Sequence, residues 1–203
     1  DCGQNLADTW EYDGTDWTEI PTAHFPPPRV HARMTFDPVR QVCVLFGGDH
    51  YDPKDETWLY DGTDWVQTTP LTSPPRRFAH GQTFHGAVGR LLLFGGDHDG
   101  PGALGDTWEY DGLSWLNVPL FGDLPEPRYH GALAYDSLRR RSILFGGDHE
   151  RDDMWLYRWN STWPDELCAS GLDVDADGLT DCADPDCDGR PCNGGTCVGG
   201  VCQ

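Results

Sequence analysis

The 203-residue chain carries 14 Lys+Arg against 34 Asp+Glu, a formal net charge of −20, with 25 Gly, 16 Pro, 9 Trp and 8 Cys. With a single lysine (Lys54), so acidic a balance excludes a nucleic-acid binder, because phosphate contacts need clustered cations. No run approaches the roughly 20 apolar residues that span a bilayer, and a composition poor in aliphatics but rich in rings favours strands and turns over helical bundles.

In chain order, the first residue is Asp1 rather than Met, which suggests a processed or truncated sequence. Three strings then recur in fixed order. An aromatic string reads DTWEYDGTDW at Asp8–Trp17, ETWLYDGTDW at Glu56–Trp65 and DTWEYDGLSW at Asp106–Trp115, with a decayed copy ending at Trp163. FGGDH occurs at Phe46–His50, Phe94–His98 and Phe145–His149, and a Pro–Arg lead-in precedes each as PPRVHARMTF, PRRFAHGQTF and PRYHGALAY. The markers Tyr12, Tyr60, Tyr110 and Tyr157 are 48, 50 and 47 residues apart, and all nine tryptophans lie in the aromatic strings. The chain is a repeat protein.

Each repeat reads as four short strands. Arg33–Phe36 leads through a turn containing Asp37-Pro38 to Gln41–Phe46, which is apolar on both faces as in the middle of a packed sheet. Gly47-Gly48 ends that strand where a side chain would block a close approach or a positive φ. Thr57–Tyr60 alternates so that Trp58 and Tyr60 share a face. Asp61-Gly62 signals a two-residue hairpin into a last strand at Trp65. Such a meander cannot bury its aromatic face alone, so neighbouring sheets must stack on it, and radial stacking gives a β-propeller.

The FGG, the Tyr–x4–Trp pair and the period resemble kelch repeats, related to the central domain of galactose oxidase, over about Ala7 to Trp163. The resemblance implies an all-β fold of kelch-like blades. The usual six or seven blades are not met: three full repeats follow an N-terminal half blade, Asp8–Ile20, which supplies only the last two strands of its unit. A fragment of a longer protein, a small distorted body capped by its tail, and another subunit covering the exposed end, in a closed dimer or open fibre, are all compatible with this incomplete ring.

Residues 1–164 are thus read as blades and 165–203 as a Cys-rich acidic tail. Asp165–Arg190 holds nine acids and one base, so it carries −8 of the −20. Within it, Asp173, Asp175, Asp177, Asp181 and Asp184 fall at positions 1, 3, 5, 9 and 12 of a twelve-residue calcium loop, with Gly178 at 6 and the Leu179 carbonyl at 7. Five carboxylates without a cation would repel one another, so a structural Ca2+ is expected. The loop resembles thrombospondin type-3 repeats and dockerins more than an EF-hand. Cys168, Cys182, Cys187, Cys192, Cys197 and Cys202 read as a disulfide framework of an oxidising, extracellular compartment (secreted or cell surface), with pairing left open among 15 possibilities. Cys2 and Cys43 remain, and a bridge between them is expected. Asn160 heads an N-x-[ST] sequon, a candidate glycosylation site.

Other chemistry is harder to find. His50, His98 and His149 repeat with the blades and read as loop scaffold, as do His31, His80 and His130 near the lead-ins; one ion could gather such residues only near the axis. Arg29, Arg77 and Arg128 read as buried guanidinium groups tied to a repeated Asp or to carbonyls between blades. Galactose oxidase would imply copper with a cysteine-linked tyrosine, but only Cys43 lies within the repeats. No GxSxG, HExxH or P-loop is present, and no catalytic residue is predicted. The expectation is a non-catalytic extracellular module for protein association or self-assembly, its partners being other proteins or identical subunits. A carbohydrate-binding propeller, or a fragment of a larger secreted enzyme, is the alternative.

Overall fold

The structure, a computed structural model, describes residues 6–48, 52–119, 123–148, 151–157, 191–192, 195–198 and 201–202. Every regular element among them is a β-strand. β1 (Trp10–Tyr12) and β2 (Trp17–Glu19) pair as a two-stranded half blade. β3 (Arg33–Asp37), β4 (Val42–Phe46), β5 (Thr57–Tyr60) and β6 (Trp65–Thr68) form a first four-stranded blade. β7 (Gly81–His85), β8 (Arg90–Gly96), β9 (Leu104–Tyr110) and β10 (Trp115–Asn117) form a second. β11 (Ala132–Asp136), β12 (Arg141–Phe145) and β13 (Met154–Tyr157) form three strands of a third. In the tail, β14 (Pro191–Cys192), β15 (Gly195–Val198) and β16 (Val201–Cys202) make a short meander. The all-β fold of repeated antiparallel blades is the one expected.

First strands of successive blades lie side by side, β3 against β7 and β7 against β11, so they line a common axis. The core sits between blades. Val44 and Phe46 of the first blade pack on Leu91, Leu93, Tyr110 and Trp115 of the second. β8 is buried along nearly its whole length because alternate residues serve two neighbours.

Backbone hydrogen bonds clamp one blade to the next. Gly48 N donates to Arg77 O (2.9 Å) and Arg77 N to Lys54 O (3.0 Å); one repeat later, Gly96 N donates to Arg128 O (2.9 Å) and Arg128 N to Leu104 O (3.0 Å). This close approach explains the double glycine. Gly95 has φ +64, and a Cβ there would stand 2.5 Å from the Arg128 carbonyl oxygen.

The turn between the third and fourth strands differs from expectation. Tyr60 pairs with Trp65, so four residues rather than two form the loop. Asp61 Oδ1 accepts from the amides of Thr63 (2.8 Å) and Asp64 (3.0 Å), an Asx turn in place of a tight hairpin. The same carboxylate cap recurs at Asp13 and Asp111.

Candidate functional site

The repeated arginines organise the end of each blade where the lead-in and the double-glycine loop meet. Arg77 is fully buried and grips Asp106 with two bonds (2.6 and 2.8 Å) while a third reaches Gly95 O (2.9 Å). Arg128 repeats this with Asp153 (2.5 and 2.8 Å) and Gly146 O (3.1 Å), and Arg29 with Glu56 (2.6 Å) and Gly47 O (3.0 Å). The acid and the carbonyl both belong to the arginine's own blade, so the expected bridging between blades is made by its backbone instead. Burial would raise the Asp106 carboxyl, but the bonds from Arg77 and Trp108 outweigh it and hold the group below the usual carboxylate range.

Side chains add a second ladder between blades. Trp65 Nε1 donates to Thr9 Oγ1 (2.9 Å) and Trp115 Nε1 to Thr57 Oγ1 (2.9 Å), 56 and 58 residues back in the chain. Tyr60 OH donates to Glu11 Oε1 (2.8 Å) and Tyr157 OH to Glu109 Oε1 (2.8 Å). Burial and the Glu11 carboxylate push Tyr60 up to about 12. Trp65 and Trp115 thus reach back to a Thr of the preceding blade, and Tyr60 and Tyr157 to a Glu of it. The second blade breaks the Tyr–Glu pattern, because Leu59 stands where the Glu would be and Tyr110 OH donates to Gly112 O (3.0 Å) of its own hairpin.

That direction leaves two faces uncovered among the described residues. In the half blade, Trp10, Tyr12 and Trp17 are 48%, 54% and 61% exposed, whereas Trp58, Tyr60 and Trp65 are 8%, 7% and 5% exposed. Beside β1, the first blade exposes Met34 and Phe36, because no inner strands of the half blade cover them among the described residues. At the other end, Phe145, Met154 and Leu156 are exposed, although Phe46, the counterpart of Phe145, is fully buried. The two faces are the two halves of the blade-to-blade contact seen within the chain.

These observations settle the family. A family model described as the KLHDC2/KLHL20/DRC7 Kelch-repeats domain matches residues 3–172. The chain belongs to the kelch-repeat family. No curated protein matches it. Among solved structures, YjhT is similar with a TM-score of 0.54 at 15% identity, covering 72% of this chain and 47% of YjhT. The chain therefore spans about half the length of that structure, and at that identity the likeness shows the fold. The family and the likeness together assign the chain the blade fold from which kelch propellers are built.

The remaining predicted residues divide by position. Cys43, on β4 opposite Tyr60, is a half-buried free thiol whose pKa is raised by burial and by Glu11. Its expected partner Cys2 lies outside the described residues. So do Cys168, Cys182, Cys187, Asn160, His50, His149 and the calcium-loop residues Asp173, Asp175, Asp177, Leu179, Asp181 and Asp184. For Cys192, Cys197 and Cys202 the structure describes the backbone only, as strand residues of the tail meander. Among the described residues no three His, Cys, Asp or Glu side chains gather to hold a metal, and no helix is long and apolar enough to cross a membrane.

The histidines are not equivalent. His80 is buried against Phe46 and burial drops it to about 3. His85 Nδ1 lies 2.9 Å from Ser142 Oγ, but Ser142 is fully buried and His85 Nε2 has no hydrogen-bond partner among the described residues, so no carboxylate completes a triad there. His31 and His130 occupy a different register, Arg-x-His, with Ala79 at the same place in the second blade. All three have left-handed backbones, with φ 57°, 57° and 53° respectively. The sequence reading grouped His80 with them; aligned on Arg29, Arg77 and Arg128, it falls one residue later.

Proposed function

We propose that this chain acts as an adhesive kelch module that extends its own blade stack by docking a second copy head to tail. The observation that carries this reading is the pair of uncovered faces. Tyr12 and Trp17 keep the tilted contact of the buried pairs, with ring centroids 5.3 Å apart, yet remain exposed. Phe145, Met154 and Leu156 form the kind of surface on which such pairs rest within the chain. A contact between two different faces is heterologous and builds a ring where the rotation closes and a filament where it does not. β1 pairs only with β2 among the described residues, so its outer edge is also available to accept a strand.

Light scattering of the full chain across a concentration series tests this. Mass above the 22.6 kDa monomer is expected, rising with concentration. Trp17→Asp and Phe145→Asp each remove one face, so each variant alone is expected to be monomeric. An equimolar mixture retains one head and one tail and is expected to stop at a dimer. A monomer at every concentration, or assembly undiminished in both variants, overturns the reading.

The tail completes the proposal. Its carboxylates at calcium-loop spacing support a structural Ca2+ held by Asp173, Asp175, Asp177, Asp181 and Asp184 with the Leu179 carbonyl, and its dense, even-numbered cysteines support a disulfide framework and an extracellular location. Calorimetry of the full chain with millimolar calcium chloride checks the first point; absence of saturable heat counts against it.

A further inference from the structure

We propose that His31 and His130 together bind a divalent transition-metal ion, of the zinc or nickel class, at the axial mouth of the blades. The argument begins with the backbone. Ala79 N donates to His31 O (2.9 Å) and His130 N donates to Ala79 O (2.7 Å), so the three lead-ins form one hydrogen-bonded staircase across the axis. The middle step carries only a methyl group, and the imidazoles of the outer steps stand close to each other across it. Their ring centroids are 5.5 Å apart at an interplanar angle of 66°.

That separation suits a shared ion. With metal–nitrogen bonds of about 2.0–2.1 Å, an ion in the plane of an imidazole stands about 3.2 Å from the ring centre, so two rings at tetrahedral to trigonal angles have centres roughly 5–6 Å apart. The observed 5.5 Å lies inside that window. Flanking rings hold each imidazole: Phe78 is 6.1 Å from His31 and Tyr129 is 5.2 Å from His130. Both histidines are exposed, so the remaining coordination positions face solvent and are open to water or to a donor from another molecule. Imidazole nitrogens select borderline metals over calcium or magnesium, and a net charge of −20 draws cations toward the surface. The left-handed backbone of His31 and His130 recurs at Ala79, so it belongs to the staircase itself and not to the ion site.

Isothermal titration of the full chain with nickel chloride tests the site. One saturable event is expected, and His31→Asn or His130→Asn is each expected to weaken it by roughly tenfold or more, because one imidazole lacks the chelate advantage. Asn is chosen because it tolerates the left-handed backbone. His24→Asn and His98→Asn, outside the pair, are expected to leave it unchanged. Histidine-ring NMR of the unsubstituted chain with zinc reads the same site without a mutation: the two imidazoles are expected to shift together. No saturable nickel binding, binding that survives either Asn substitution at wild-type strength, or zinc shifts at one ring or none would overturn the proposal in favour of simple ring packing.

Discussion

The Tyr12–Trp17 pair of the half blade and the Tyr110–Trp115 pair of the second blade are nearly the same object in opposite surroundings. Centroid distances are 5.3 and 5.0 Å, interplanar angles 36° and 32°, and both hairpins carry an Asx-capped loop. Yet the first pair is 54% and 61% exposed and the second 1% and 0%. Local sequence is therefore enough to build the aromatic hairpin, and a neighbouring blade is needed only to bury it. In a stacked repeat architecture, stability belongs to the interfaces between units as much as to the units.

The largest expected effect separates those two pairs. Trp115→Ala removes a ring packed on Phe46 and Tyr110 and its bond to Thr57, and should cost about 3–5 kcal/mol in denaturant unfolding of the monomer. Trp17→Ala at the equivalent, uncovered place should stay within about 0.5 kcal/mol in the same measurement. Equal losses would mean that the face of the half blade is covered in solution. Arg77→Ala leaves the half-buried Asp106 carboxylate without its bidentate partner and should cost about 3 kcal/mol. Arg76→Ala, whose partner Asp99 is an exposed surface acid, should change stability by less than about 1 kcal/mol.

A smaller contrast lies in the tyrosine ladder. Tyr157→Phe deprives the buried Glu109 of a donor, and burial already pushes that carboxyl up, so a loss of about 1–3 kcal/mol is expected. Tyr60→Phe frees Glu11, which is exposed and rehydrates, so the loss should be about 0.5–1 kcal/mol.

The pH dependence follows from groups in the second blade. Burial lowers His80 to about 3 and His85 to about 4 from an ordinary 6.5. The unfolded chain therefore takes up protons that the folded chain refuses, and stability should fall as pH drops below about 6.5. Asp106 and Asp153, held low chiefly by the Arg77 and Arg128 pairs against any burial cost, add stability that is present above the ordinary carboxylate range and lost as pH falls through it. Denaturation midpoints measured from neutral pH downward should show a decline that begins before the carboxylates titrate. A flat profile down to about pH 5 would contradict the histidine contribution.

Much of this was legible because the repeat exposes its own rules. Strand order, the double glycine and the buried arginine all follow from strings that return in step. Asp61-Gly62 was misread because the dipeptide suits both a two-residue turn and the start of a four-residue one. What decides is whether the Asp carboxylate caps amides two and three residues on, as it does here. The Thr and Glu partners of the aromatic residues were also missed, though a partner set one repeat plus a few residues back was the available signal. The Arg-x-His register, which separates His31 and His130 from His80, was in the strings as well, but its meaning depends on rings meeting across the axis.

The sequence by itself determined that the chain is built of kelch blades, in which order their strands run and which residues face a neighbour, because these depend on side-chain alternation and turn chemistry within one repeat. Only the tertiary structure decided which faces remain uncovered and which residues of separate blades meet. Those outcomes depend on the direction of stacking and the radius of the axis, quantities that no single repeat contains.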